Sequence, residues 1–286
     1  MTDQEKPIVI NVGESQLIGI VHIPKQAKGT GIIPIVAGGP QYRGGCCRQL
    51  VLMARELAKL GYPVLRFDYR GLGDSLGDYK GFQHVQEDID AAILAFKQQI
   101  PELNEIILWG GCDAASAAMI HGPNNPSVSG MIIANPWVHT EQTHAKVVVQ
   151  HYYLNRLKDK TFWLKIFKLR LNFIDTFKSV FSNLKLASQS SDTTNADAKN
   201  SNIPYPQRMC IGMSKFQGKT LLMMSGLSLV SKEFDELVAG SSQWKSAIDN
   251  PNLERVDFPN ADQAFSTIET RKAQLEAAIK WLHKWN

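Results

Sequence analysis

The chain has 286 residues, of which 44% are hydrophobic and 20% charged, and its formal net charge is +4. This composition excludes a disordered or fibrous protein and leaves enough apolar side chains for a sizeable core. No apolar run approaches the roughly 20 residues that span a bilayer, and the first residues lack the apolar stretch of a signal peptide. The four cysteines lack zinc-ligand spacing. We therefore expect a cytoplasmic protein with reduced thiols.

Short apolar runs alternate with helical patterns along most of the chain. This order is typical of an α/β protein with a mostly parallel sheet. Strands are predicted at 8–11 and 16–22, as an antiparallel pair, and then at 32–36, 64–68, 106–109, 130–134, 220–225 and 253–258. Helices are predicted over 47–60, 85–98, 113–120 and 207–216, from about residue 232, and over 268–285.

The alternation stops after Pro136 for about seventy residues. We therefore expect a core formed by 1–136 and 204–286, with a helical cap inserted at 137–203. Inside the cap, large apolar residues recur at helical spacing over 162–184, which predicts an amphipathic helix with Phe162 on its aromatic side. Residues 188–202 hold no large apolar side chain and are predicted to form a mobile loop.

Residues 106–115 run from an apolar strand into a helix start made of small residues. A nucleophile held at such a turn has a strained backbone, so the residues two before and two after it must be small. Gly110 and Ala114 meet this requirement around Cys112. We predict that Cys112 stands at the nucleophile position of an α/β-hydrolase fold, where the helix N-terminus lowers the pKa of its thiol. The alternative is a buried, inert cysteine.

The glycine-rich loop after the third predicted strand should face this turn. In an α/β-hydrolase fold that loop gives one backbone N–H to the oxyanion hole, and the residue after the nucleophile gives the other. The candidates are Gly39 and Asp113, because Pro40 has no N–H. Gln41 and Arg43 in the same loop are candidate substrate-binding residues. Considered alone, the loop could also be a plain glycine turn.

Four motifs give the chain a resemblance to a known family. They are GGPQYR at 38–43, RFDYRGLGDS at 66–75, CDAASA at 112–117 and NPWV at 135–138. Together they resemble the α/β hydrolases associated with the exosortase A system, over nearly the whole chain. That family consists of predicted hydrolases linked to bacterial exopolysaccharide and protein-sorting loci. The resemblance implies an eight-stranded, mostly parallel sheet flanked by helices, a helical cap, and an ester or thioester substrate. Trp137 is a further candidate for substrate binding.

Two positions depart from the family's catalytic pattern. Gln263 stands where the family has its histidine, in the loop after the last strand, and Ser228 stands where it has its aspartate. A glutamine amide cannot shuttle protons. Loss of the histidine costs a serine triad about a million-fold in turnover, whereas a thiolate can attack without a partner base. We expect impaired hydrolysis, with slow deacylation, transfer to another nucleophile, or no chemistry at all.

His139 is the histidine that could replace the missing base, because it follows the strand at 130–134 at the sheet edge where the nucleophile is expected. The alternative is a solvated side chain or one that packs under the cap. His84 has the same two interpretations. His283 lies in the final predicted helix, beyond the reach that such a loop provides.

The sequence predicts neither a cofactor nor a metal site. The turn at 70–75 lacks a phosphate-loop lysine and the spacing of a dinucleotide fingerprint, so Asp68 and Arg70 are interpreted as pinning loops near the nucleophile. Residues 156–185 contain eight basic and two acidic side chains. Weak association of the cap with an anionic membrane is one interpretation, and a helix packed on its own core is the other. No nucleic-acid motif accompanies these residues.

Two classes of function remain open, and the sequence indicates no oligomeric state. As an enzyme, the chain would be a cysteine acyl hydrolase or acyltransferase with a small acyl or lipid-like substrate. As a pseudo-hydrolase, it would bind an acyl or lipid ligand, or a partner protein, without turnover. The predicted nucleophile and oxyanion loop favour acyl chemistry, whereas the residues at the acid and base positions favour binding.

Overall fold

A computed structural model of the chain describes residues 4–37, 41–139 and 203–284. Every element named below belongs to one compact unit, formed by Met1–Thr143 and Tyr205–Asn286. The predicted cap lies almost entirely outside the described residues, including its amphipathic helix and its polar loop. The boundaries proposed for the cap therefore stay predictions.

An eight-stranded sheet forms the centre of this unit. Its strands are β1 (Gln4–Val12), β2 (Ser15–Ile23), β3 (Thr30–Pro34), β4 (Val64–Phe67), β5 (Glu105–Gly111), β6 (Val128–Ala134), β7 (Lys219–Ser225) and β8 (Leu253–Phe258). They lie in the order β1-β2-β4-β3-β5-β6-β7-β8. Strand β2 is antiparallel to β1 and β4, and all other neighbours in the sheet are parallel. The predicted α/β class and the predicted strands are confirmed.

Helices flank the sheet. In the described part of the chain they are α1 (Gln49–Lys59), α2 (Gln86–Gln99), α3 (Asp113–His121), α4 (Tyr205–Lys215), α5 (Leu229–Ala239), α6 (Ser242–Ile248) and α7 (Ile268–His283). Within those ranges, none of them combines the length and the apolar character that crossing a membrane requires.

Two helix starts differ from the sequence prediction, and one helix was not predicted. Helix α1 begins at Gln49 rather than at residue 47, because Cys47 and Arg48 have left-handed backbones with φ of 50° and 61°. Helix α5 begins just after Ser228, whose hydroxyl accepts the N–H of Ser231 and caps the helix. Helix α6 was not predicted. It is a short helix that begins after a second serine cap.

Alternate residues of the central strands pack on opposite faces of the sheet. On one face Ile33, Leu108 and Ile133 join a layer with α2, α3 and α4. On the other face the preceding residues of the same strands join a layer with α1 and α7. Both faces are therefore buried, as expected of a parallel sheet covered by helices. The carboxyl ends of the parallel strands all lie at the same side of the sheet. In folds of this kind, ligands bind at that side.

Gly110 in β5 is required by the close approach of α3. A Cβ atom at Gly110 would lie 2.5 Å from the carbonyl carbon and oxygen of Ala114, whereas at Gly111 the nearest atom is the Ala134 oxygen at 3.9 Å. We expect Gly110→Ala to lower the free energy of unfolding by about 1–3 kcal/mol. Gly111→Ala is the matched control and should change it by less than about 0.5 kcal/mol. Urea denaturation measures both, and equal stabilities would contradict this packing.

Candidate active site

Cys112 joins β5 to α3 in a strained backbone conformation, with φ 59° and ψ −126°. A positive φ is rare for a residue with a side chain and persists only where neighbouring contacts fix it. Here the Cys112 N–H donates to the Ala134 carbonyl at 2.9 Å. Its own carbonyl accepts the N–H groups of Ser116 and Trp137, both at 3.2 Å. The turn therefore has the geometry of a nucleophile elbow.

The pKa of the Cys112 thiol lies above its ordinary range. Burial is the largest cause, and the neighbouring Asp113 carboxylate raises the pKa further. The Asp113 backbone N–H and the Gln263 side chain donate to the sulfur and lower the pKa, but they do not offset burial. The helix N-terminus lowers the pKa of the thiol, as predicted, but burial and the Asp113 carboxylate outweigh it, so the predicted net preference for the thiolate is wrong. The first turn of α3 carries the Asp113 carboxylate as well as the Asp113 N–H, and the two have opposite effects on the pKa of the thiol.

Gln263, predicted to stand at the position of the catalytic base, contacts the thiol of Cys112. It lies in the loop after β8, and its Nε2 donates to Cys112 Sγ at 3.2 Å. An amide N–H can hold the sulfur in one orientation, but the amide has no basic atom that could remove the thiol proton. The structure thus brings Cys112 and Gln263 together, as the sequence predicts.

Asn135 fixes the loop that carries Gln263. The Asn135 side chain is buried, and its Nδ2 donates to Ser225 Oγ and to the Gln263 carbonyl, both at 2.9 Å. Its Oδ1 accepts the Ser225 N–H at 2.9 Å and the Ser231 hydroxyl at 2.7 Å. This one amide connects the ends of β6 and β7, helix α5 and the loop after β8. From the sequence, Asn135 was recognised only as part of the motif at 135–138. Its signal was a polar residue directly after a buried strand.

Ser228, the residue at the predicted acid position, follows β7. It is 2% exposed, and its Oγ accepts the Ser231 N–H at 3.3 Å. A hydroxyl used as a helix cap does not provide the negative charge that a triad acid provides. The acid position is thus occupied by a residue that stabilises the start of α5.

Of the two oxyanion-hole candidates, Asp113 and Gly39, only Asp113 belongs to the described residues. The Asp113 N–H is the first of helix α3 and is directed at Cys112 Sγ. Gly39 lies outside the described residues, so its assignment stays a prediction. Gln41, a candidate for substrate binding, lines the cleft above Cys112.

The Arg43 side chain binds carboxylates and is not among the residues that line the cleft. Its backbone N–H and its Nη1 donate to Asp68, and its Nη2 donates to Asp74 at 2.7 Å. The guanidinium therefore ties its loop to the glycine-rich turn, which agrees with the pinning role expected of Asp68. This geometry does not support the prediction that Arg43 binds substrate. The sequence motif contains Asp68 and Asp74 but did not reveal that they are the partners of Arg43.

His139 forms a pair with a carboxylate that the sequence analysis missed. Its Nδ1 lies 3.3 Å from Oε2 of Glu233, whose side chain is buried in α5. The His139 ring stacks on Trp137 with centroids 5.2 Å apart, and its carbonyl accepts the Tyr205 hydroxyl at 2.8 Å. The signal for Glu233 was an acidic residue on the apolar side of a helix. His84 and His283 are both exposed.

A cleft of about 1120 Å³ opens above the elbow. Cys112, Gln263 and Trp137 line it at the elbow. Most of the remaining wall is apolar, and it includes Leu50, Met53, Phe265, Ile268 and Leu275. A wall of this kind suits an acyl chain or another apolar ligand. Phe162, also predicted to bind substrate, lies outside the described residues.

Candidate metal ligands do not cluster in the ranges that the structure describes. In those ranges no three His, Cys, Asp or Glu side chains are grouped so that they could hold a metal ion. The residues that meet at the elbow are a thiol, an amide and backbone N–H groups. Such a set suits nucleophilic acyl chemistry rather than metal binding.

The strand order, the strained turn after β5 and the loop contact after β8 define the α/β-hydrolase fold. A family sequence model described as serine aminopeptidase, S33, matches residues 43–203, more than half of the chain. The chain therefore belongs to this family of α/β hydrolases. The description names a serine enzyme, whereas this chain has Cys112 at the elbow. No curated protein sequence matches the chain.

Solved structures of esterases and other serine hydrolases share the fold. The Pyrococcus furiosus esterase Pf2001 is 17% identical, with a TM-score of 0.65 over 99% of this chain and 91% of its own. The α/β serine hydrolase XC6422 from Xanthomonas campestris is 14% identical, with a TM-score of 0.57 over 98% and 96%. Est1E from Butyrivibrio proteoclasticus, solved with ferulic acid, is 14% identical, with a TM-score of 0.59 over 96% and 99%. At these identities the likeness shows the fold alone.

The raised pKa of Cys112 predicts how its alkylation depends on pH. The thiolate is the reacting form, so the rate with iodoacetamide should rise with pH to a midpoint above that of an ordinary thiol. Asp113→Asn should lower this midpoint because it removes a negative charge but keeps the N–H. Gln263→Ala should raise it because it removes a donor to the sulfur.

Peptide-resolved mass spectrometry separates Cys112 from the exposed Cys46 and Cys47, and free cysteine in the same buffer serves as the ordinary thiol. A midpoint below that of an ordinary thiol would mean that the helix N-terminus outweighs burial. That result would contradict this description of the site.

Proposed function

We propose that the chain is an acyl-handling α/β hydrolase of the type associated with the exosortase A system, with impaired hydrolysis. In this proposal Cys112 accepts an acyl group from an ester or thioester. The observation that carries it is the 3.2 Å contact from Gln263 Nε2 to Cys112 Sγ. The position of the base is filled, and the group that fills it can orient the sulfur but cannot move protons.

Acylation would proceed from the thiolate. The Cys112 proton is lost to solvent, Sγ bonds to the acyl carbon, and the oxyanion is held by the N–H groups of Asp113 and Gly39. The carbonyl then reforms and the leaving group departs. A thiolate departs without a proton, whereas an alcohol or amine needs a general acid. Because Gln263 cannot act as a general acid, the site favours thioesters and activated esters over peptides as substrates.

Deacylation is the step that the site does not support. Hydrolysis requires a base that removes a proton from water as it attacks the thioester at Cys112. Gln263 offers none, and Ser228 is used as a helix cap. An incoming thiol is a better nucleophile than water and can react as its thiolate without that help. Transfer to a thiol acceptor is thus the favoured outcome.

A relocated base is a further part of the proposal. The Glu233 carboxylate lies 3.3 Å from His139 Nδ1 and would orient the ring, and in this proposal Nε2 would be the nitrogen that takes a proton. His139 follows β6 at the same sheet edge as Cys112, and its ring stacks on Trp137, which lines the cleft. In this version the pair would assist slow deacylation.

The second candidate function is a pseudo-hydrolase. The cleft would bind an acyl or lipid ligand, or a partner protein, and Cys112 would take no part in chemistry. Two observations favour it, namely the capping role of Ser228 and the raised pKa of Cys112. A thiol with a raised pKa is mostly protonated at neutral pH and attacks slowly.

The cellular location is also a proposal. All four cysteines are free thiols, although Cys46 and Cys47 lie side by side. Free exposed thiols are typical of a reducing compartment, which supports the cytoplasm. Association of the cap with an anionic membrane stays a prediction, because the cap lies outside the described residues.

A p-nitrophenyl acyl ester separates the two functions. We expect a burst of about one nitrophenol per chain, a slow steady rate after it, and an acyl adduct on Cys112 in the intact mass. Cys112→Ala should give neither burst nor adduct. Cys210→Ser, which changes a buried cysteine elsewhere, is the matched control and should behave as the parent. A folded protein without burst or adduct would support the binding role.

The decay of the adduct in the same assay tests the relocated base. His139→Ala and Glu233→Gln should both slow the decay if the pair activates water, and neither should reduce the burst. An unchanged decay in both variants would remove His139 from the proposal and leave the role of Cys112 intact.

A further inference from the structure

The turn before α1 carries two adjacent cysteines. Cys46 and Cys47 form a single 3-10 turn with Arg48, and both thiols are exposed. Their Sγ atoms lie 3.7 Å apart, with the Cys46 thiol donating to the sulfur of Cys47. This donation raises the pKa of Cys46. Because both thiols are exposed and in contact, an oxidant from solvent can reach either sulfur and the other sulfur lies beside it.

The backbone of the turn holds the pair together. Cys47 has φ 50° and ψ 31°, and Arg48 follows with φ 61°. Two successive residues with side chains in the left-handed region are uncommon. Before them, Gly45 has φ 70°, and a Cβ there would lie 2.6 Å from Leu50 Cγ. The turn is therefore constrained on both sides of the two sulfurs.

We propose that Cys46 and Cys47 are a redox modification site that closes to a disulfide between neighbouring residues, with a low-molecular-weight disulfide as oxidant. The Cys47 thiolate attacks one sulfur of the oxidant, and a thiolate leaves with the bonding electron pair. The Cys46 thiolate then attacks Cys47 Sγ in this mixed disulfide, the Cys46–Cys47 S–S bond forms, and the second thiolate of the oxidant leaves with the bonding electron pair. Two thiol protons pass through solvent to the two released thiolates. The protein is oxidised by two electrons and the oxidant is reduced by two.

The ring formed in this way should open readily. Neighbouring Cα atoms are about 3.8 Å apart, whereas ordinary disulfides join Cα atoms roughly 4.4–6.8 Å apart. The sulfurs must also approach from 3.7 Å to the S–S bond length of about 2.05 Å. A strained, exposed disulfide has a less reducing potential than a structural one and responds to the thiol pool. Reversible oxidation is the expected behaviour.

The pair lies beside the candidate active site. Cys46 lines the same cleft as Cys112 and Gln263. The turn is anchored just before it, where Arg43 binds Asp68. Closing the ring would therefore move part of the cleft wall while its anchor stays in place. The disulfide itself does not depend on the proposed acyl chemistry.

The test uses the full chain with Cys112→Ala, so that adducts at the elbow cannot interfere. The protein is incubated with glutathione disulfide and digested with trypsin, which releases residues 44–48 with both cysteines. We expect this peptide to lose two hydrogen atoms and to regain them in reduced glutathione. Cys46→Ser and Cys47→Ser should instead retain a glutathione on the remaining cysteine. Cys210→Ser, added as the matched control, should close as the parent does.

Two results would overturn the proposal. One is a parent peptide that carries glutathione on both cysteines, or stays reduced, under conditions in which the single-cysteine variants are modified. The other is a loss of two hydrogen atoms that persists in Cys46→Ser, since the pair cannot then be its source. Circular dichroism of each variant confirms that the fold is retained.

Discussion

The hydrogen bonds that hold Cys112 in its strained turn determine the rest of the site. The Cys112 N–H is fixed to the end of β6, and its carbonyl is fixed by the N–H of Trp137. These contacts exist only because β6 runs parallel to β5 and ends beside it. They also require α3 to approach β5 so closely that Gly110 can have no side chain. The position of a thiol at this turn therefore depends on the whole sheet and not on one loop.

A second constraint acts on the group opposite the thiol. Asn135 uses both protons of its amide and both acceptor positions of its oxygen, and one of these bonds reaches the Gln263 carbonyl. Buried polar groups that are fully satisfied give rigidity, because any movement leaves a donor or acceptor without a partner. The loop after β8 is thus held rigidly around Gln263, whose amide cannot act as a base. In the proposed function, such a site would position an acyl group better than it would hydrolyse it.

The parts of the site that follow from local rules could be predicted from the sequence. Gly110 and Ala114 identify the turn at Cys112 because only small residues fit there. Gln263 was identified from the resemblance to a family that has its histidine at this point of the loop after β8. The pKa of Cys112 could not be predicted, because burial and the Asp113 carboxylate are properties of the folded chain. The partner of His139 was missed because Glu233 is 94 residues away.

The same contrast applies to the fold. Strands were found because both faces of the parallel sheet are buried, which gives continuous apolar runs between turn residues. The start of α1 was placed too early, since helical periodicity does not reveal the left-handed backbone at Cys47. Helix α6 was missed because seven residues are too few to show a period. Short segments and segments with a strained backbone are therefore difficult to predict from sequence periodicity.

The lifetime of the thioester at Cys112 tests the central claim most directly. The acylated protein can be prepared, freed of ester, and followed by intact mass in buffer and in buffer with a small thiol. The structure predicts a long-lived adduct in buffer alone and a much faster loss when the thiol is added, because water lacks a base and the thiol does not need one. Rapid loss in buffer at a rate that the thiol does not change would contradict it.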